Sequence, residues 1–230
     1  MVQLTPLAAD EIDRALDVFA AGIAEDALAV AAFAAIRATR AAAADERRLL
    51  AAVHDLCRRF GIAILDEEPA RAFSWDGTVL RTRSEPCVLF HEIAHWQLVP
   101  AARRPVPDFG LGAGPETGRK AEADAVRVAD LATQIDEECA ASILGILWEV
   151  AAGGPAIKAF LEQNWLERFD SPGTHRLFAA TLRGLRVRDL IDDRGAPVAP
   201  SERLRAGPRA AFTTPCSYPA AGWTLREISL

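Results

Sequence analysis

Apolar residues at Ile12, Leu16, Phe19, Ile23, Leu28, Phe33 and Ile36 recur mostly every three to five positions through residues 8–44, a stretch in which 17 of 37 positions are alanine. That period and composition predict a long helix or a helical hairpin broken near Gly22. A second helix is expected from Asp45, an N-cap residue, to Phe60, with Leu49, Leu50, Val53 and Leu56 along one face and Gly61 as its stop. The pattern changes at Gly61. Ile62-Ala63-Ile64-Leu65 predicts a short buried strand, and the apolar runs on either side of Asp76-Gly77 predict a hairpin with a tight turn. Pro86 then suits the first turn of a helix through Val88, Leu89, Ile93 and Leu98.

Between Val99 and Lys120, four prolines and four glycines in 22 residues exclude a regular element, and a loop of that length is often functional. Residues 121–152 read as one long helix or two consecutive ones, ended by Gly153-Gly154-Pro155, with further helical segments at 155–169 and 174–190. From Asp192 onward Pro, Gly, Arg and Ser dominate and predict an extended tail. The expected fold is α+β, mostly helical, with a small sheet or hairpin beside helix 86–98. We read residues 1–230 as a single domain: an Ala-rich helical part at 1–60, a core at 61–153, a helical part at 154–190 and a tail at 191–230.

Composition narrows the function. A 230-residue chain that is 50% hydrophobic and 25% charged can enclose a full core. Its net charge of -6 argues against binding nucleic-acid phosphate or an anionic membrane surface. The longest uncharged apolar runs, 27–36 and 139–148, are about half a bilayer span. Arg14, the first basic residue, follows Asp10, Glu11 and Asp13, the reverse of a signal peptide, so a soluble cytoplasmic protein is expected. Cys57, Cys87, Cys139 and Cys216 lie far apart and predict buried free thiols.

The chemistry concentrates in His91-Glu92-Ile93-Ala94-His95. Positions i and i+4 share one helix face, so both imidazoles can reach one metal ion while Glu92, one step round, can address a water on that ion. An open catalytic centre needs a third protein ligand. Asp136, Glu137 and Glu138 are candidates, and helical phase favours Glu138, which shares a face with Ala141, Ser142 and Gly145, small residues that let another helix approach. His54 and His175 are isolated and read as surface or core residues.

The run His91-Glu92-Ile93-Ala94-His95-Trp96, then Arg103-Arg104, then Asp108-Phe109-Gly110, resembles the elongation factor P hydroxylase family over roughly residues 86–153. The resemblance implies a metal held by His91, His95 and Glu138. It also implies that the loop carrying Arg103, Arg104 and Asp108 positions a protein side chain. After Gly110 the chain departs from the family, reading Leu111-Gly112-Ala113-Gly114-Pro115 in place of an aromatic cluster.

Two mechanisms fit one centre. As a hydroxylase, two His and one carboxylate leave open positions on Fe(II) for dioxygen. As a zinc metallopeptidase with a zincin-like core, the same ligands hold Zn(II) and Glu92 acts as general base on a peptide carbonyl. A third reading is a non-catalytic module in which a metal only staples two helices. Arg103 and Arg104 could equally be a surface pair in a chain where 24 of 26 basic residues are arginine. Asp108 could form an Asx-type bend or hydrogen-bond a ligating histidine, and Trp96 reads as core packing.

Overall fold

The computed structural model describes residues 9–69, 73–112 and 120–198. The N-terminal helical reading resolves into two helices, α1 (Ala9–Gly22) and α2 (Ala27–Ala38), separated at Gly22 and restarted by Asp26, whose carboxylate accepts from the Ala29 amide at 3.0 Å. Helix α3 (Glu46–Phe60) begins where Asp45 caps the Arg48 amide and ends where Gly61 takes a left-handed φ of 69°. Helix α4 (Pro86–Leu98) carries proline in its first turn, where the missing amide costs no hydrogen bond.

The predicted strands need correction. Strand β1 (Ile64–Leu65) pairs in parallel with β2 (Leu80–Arg81), and its two side chains are exposed rather than buried. The turn at Asp76-Gly77 forms: the Asp76 carboxylate accepts from the Thr78 and Val79 amides at 2.9 and 3.0 Å. It closes a short antiparallel return, with Trp75 bridged to Leu80 and the Arg81 amide donating to Ser74 O at 2.9 Å. The 14 residues between β1 and β2 suffice for the crossover a parallel pair requires, and Leu80 and Thr82 donate to Ala63 O and Leu65 O.

Residues 121–152 divide into α5 (Lys120–Ala125) and α6 (Leu131–Ala151), the latter opened by Asp130 and followed by Gly153 at φ 72°. Helix α7 (Ala156–Glu162) is shorter than the predicted 155–169 because turns follow it, and α8 (Pro172–Val187) is capped by Ser171. Of the tail expected at 191–230, residues 191–198 form a tight turn closed by a bridge from Ile191 to Pro197, while 199–230, with Cys216, and the loop segment 113–119 lie outside the described residues.

Helices α4 and α6 form the central pair and run in opposite directions, Glu138 meeting His91 and His95 while Gly145 backs onto Phe90 and His91. A Cβ at Gly145 would lie 3.0 Å from the His91 Cα, so the absent side chain sets how closely the helices approach. On the other side of α6, helices α1, α2, α7 and α8 enclose Phe19, Phe33, Phe160, Trp165 and Phe178, whose ring centroids lie 4.9 to 6.4 Å apart in a largely edge-on network. Truncating one of these phenylalanines to alanine costs about 3–5 kcal/mol. The protein is thus mostly helical with a very small sheet. No helix among the described residues is long and apolar enough to cross a membrane.

Candidate metal centre

The i, i+4 spacing brings His91 Nε2 and His95 Nε2 to 2.9 Å of each other, and Glu138 Oε2 lies 3.3 and 3.5 Å from them. For metal–ligand bonds of ~2.0–2.2 Å, ligand atoms stand about 2.8–3.6 Å apart, from square to tetrahedral angles. All three separations fall in that range, so His91, His95 and Glu138 form a group that could hold a metal ion. The side chains are 23%, 4% and 40% exposed, so the centre is closed behind His95 and open on the Glu138 side.

Electrostatics favours the ligating forms. Burial pushes His95 towards the neutral imidazole, outweighing the attraction of Glu138. Desolvation pushes the Glu138 carboxyl up, but the charge and hydrogen bonds of His95 and His91 dominate and hold it well below the usual carboxylate range. Two further carboxyls interact electrostatically with these ligands. Burial and then the charge of Glu138 raise Glu92 to about 8, and burial followed by the charges of Glu92 and Glu138 raises Asp108 to about 8. Glu92 Oε2 is buried without a hydrogen-bond partner, as are the Nδ1 atoms of His91 and His95. The hydrogen bond from a ligating histidine to Asp108 is therefore not made.

Asp108 reaches the centre through an unusual backbone. Asp108, Phe109 and Gly110 have φ of 51°, 52° and 70°, a left-handed run that non-glycine residues adopt at a cost of about 1–2 kcal/mol each. Neighbouring segments hold it in place. The Asp108 amide donates to Trp75 O at 3.0 Å, and Gly110 O accepts from the Val128 and Ala129 amides at 2.9 Å. The Phe109 ring stacks between Trp75 and His95, each centroid 5.6 Å away. The Asp76-Gly77 turn supplies this pedestal: it returns the chain so that Trp75 Nε1 donates to Arg104 O at 2.7 Å, and a Cβ on Gly77 would strike Pro105 O.

The arginine pair is tied down in the structure. Arg103 forms an ion pair with Glu137, whose side chain is 3% exposed, fastening the loop beside Glu138. Arg104 lies 4.5 Å over the Trp96 ring and donates to Trp96 O at 3.2 Å, while half-buried Trp96 packs edge-on against Trp75. Asp136, raised to about 6 by burial, stands apart from the ligand set. His54 is exposed, and His175 is buried with its Nε2 donating to Phe169 O at 2.7 Å. Sequence reasoning missed Trp75, which supports the loop from more than thirty positions away and carries no local signal of that role. No protein-family model, curated protein or solved structure matches the chain.

Proposed function

We propose that this chain is a metal-dependent enzyme that hydroxylates a side chain of a protein or peptide substrate in the cytoplasm. His91, His95 and Glu138 are the ligands and iron(II) is the metal. The observation that carries the reading is the convergence of three ligand atoms on one point, open on one side, with two carboxyls that ligate nothing, Glu92 and Asp108, interacting with it electrostatically. Bound there, iron would supply the redox chemistry that joins one oxygen atom of dioxygen to a substrate carbon, the other leaving as water at the expense of two electrons from an external reductant and two protons.

The residues of the chain do the rest. Glu138 supplies the anionic ligand and His95 a neutral imidazole. Phe109 covers the buried flank of His95 and keeps water from that side. Glu92, raised to about 8, holds a proton near neutrality and can release or recover it at Oε2. Arg103 and Arg104 hold the loop that aims Asp108. Asp108-Phe109-Gly110 and the arginine pair carry the resemblance to elongation factor P hydroxylases, and the placing of Phe109 against His95, with Arg103 fastening the same loop to Glu137, supports hydroxylation over peptide hydrolysis. A peptidase that binds substrate as an added strand uses a sheet edge, whereas the described sheet is two strands of two residues. The hydrolase reading, with zinc and Glu92 as base, shares the ligand set and is supported beyond it by the Glu92 carboxyl.

The test is metal content of protein purified without air, wild type against Glu138→Ala and Glu92→Gln, with oxygen uptake measured on the same samples. The expected result is near-stoichiometric iron, lost in Glu138→Ala and kept in Glu92→Gln, with oxygen uptake falling about 10²–10⁴-fold in the latter. Zinc with anaerobic peptide cleavage would replace this reading by the hydrolase. Metal with no turnover, and no effect of Glu92→Gln, would leave a structural ion.

A further inference from the structure

A second group of ligating side chains lies at the other end of α4. Glu85 and Cys87 flank the start of that helix, and Glu162 is the last residue of α7; one ligand atom from each lies within 4.8 Å of the others. The Cys87 thiol points to Glu85 Oε2 at 3.7 Å. The exposed carboxylates have ordinary explanations: Glu85 opposes the helix dipole, and Glu162 has Lys158 Nζ 3.5 Å away.

Those explanations fail at Glu149, near the end of α6. Its side chain is 4% exposed and its Oε2 is buried without a hydrogen-bond partner. Gly145 lies against His91 in the antiparallel α4–α6 pair, so one turn further along α6 Glu149 comes level with Cys87, one turn earlier on α4, and its charge acts on the Cys87 sulfur. Three carboxyls and a thiol from three helices gather here, with the Lys158 ammonium at Glu162. An orphaned buried carboxyl costs about 1–3 kcal/mol or more unless something pairs with it.

We propose that Glu85, Cys87 and Glu162, backed by Glu149, form a second cation site, separate from the His91–His95–Glu138 centre, for a thiophilic divalent ion of the zinc class. The sulfur selects against magnesium and calcium, which take oxygen ligands. Binding replaces the S–H bond of Cys87 by a metal–sulfur bond and releases the proton to solvent, with no change of oxidation state. Because its ligands come from α4 and α7 and its backing group from α6, the ion would clamp the N-terminal end of the helix that carries His91 and His95. The inference does not depend on the reaction proposed above.

Cobalt(II) is the probe, added to the full chain, because a thiolate ligand gives a charge-transfer absorption in the near ultraviolet that His and carboxylate ligands do not. Wild type is expected to show the band. Cys87→Ser abolishes it. Glu149→Gln and Glu162→Gln, the latter at an exposed position that tolerates substitution, each weaken cobalt binding at this band about tenfold or more. His95→Ala and Cys139→Ser leave the band in place, circular dichroism showing every variant folded. Absence of the band in wild type, its survival in Cys87→Ser, its loss in His95→Ala or Cys139→Ser, or unchanged affinity in both glutamate variants would each overturn the proposal.

Discussion

His175 and His95 are both buried histidines on helices, 8% and 3% exposed, and they belong to different kinds of interior. His175 sits in the aromatic half of the molecule, edge-on to Phe19 with its ring over Gly22, and its Nε2 has a carbonyl to donate to. His95 sits between α4 and α6, with Nδ1 unpartnered, Nε2 facing another imidazole, and three carboxyls, those of Glu92, Asp108 and Glu138, gathered on the same centre. In the aromatic half the buried polar atoms without partners, such as Thr181 Oγ1 and Gln163 Oε1, lie singly among apolar groups, and none belongs to a group of ligating side chains. The α4–α6 half leaves polar atoms converging without partners, which stability alone does not explain. Burial therefore does not mark the site; convergence of unsatisfied donors and acceptors does.

Exchanging the two histidines for alanine gives the largest separation. His95→Ala should lower metal affinity by more than about 100-fold. His175→Ala should leave metal content unchanged while losing about 1–3 kcal/mol of stability, because Phe169 O loses its donor. Metal analysis and urea denaturation on both variants check this, and equal metal loss in both would break the comparison.

Next in size is the clamp between the loop and α6. Arg103→Ala strands the Glu137 carboxylate, and we expect a loss of about 3–5 kcal/mol by chemical denaturation. The double variant Arg103→Met with Glu137→Met should recover much of that loss, since no unpaired charge is left buried.

Gly145→Ala is a subtler probe of the same half. The added methyl meets the His91 backbone at 3.0 Å and pushes α4 away from Glu138. Metal binding should weaken about 10- to 100-fold in a calorimetric titration, with little change in the aromatic half's melting behaviour.

The smallest effect is a pH dependence at Glu149. Burial, followed by the charge of Glu162, raises its carboxyl from 4.5 to about 7. The folded state thus prefers the protonated form: stability is highest below about 4.5, falls as pH rises towards about 7, and is flat above. Glu149→Gln should remove that slope and add about 1–2 kcal/mol at pH 8, with no gain at pH 4. Urea melts with a chelator present measure it.

How much of this was legible in the sequence follows the range of the interactions. The start of α3 at Asp45, its stop at Gly61 and the opening of α4 at Pro86 could all be read, because a cap and its helix lie within a few residues of each other. The His91–His95 spacing is equally local. Glu138 was reachable by helical phase, since Ala141, Ser142 and Gly145 mark a face that another helix can approach, and Gly145 does lie against α4. The hairpin at Asp76-Gly77 was legible as a turn, but the sheet was not, because β2 pairs in parallel with β1, more than ten residues away, as well as with Trp75.

The sequence by itself determined where the helices begin and end, and that two imidazoles share one face, since backbone propensity, capping and a period of 3.6 residues act within one or two turns. Only the tertiary structure decided the rest. It selected Glu138 as the third corner while Glu137 turned to Arg103, it set Asp108 on a left-handed turn braced by Trp75, and it gathered Glu85, Cys87, Glu149 and Glu162 from three helices. Each of those outcomes depends on which surfaces pack together, and packing joins residues that no local pattern connects.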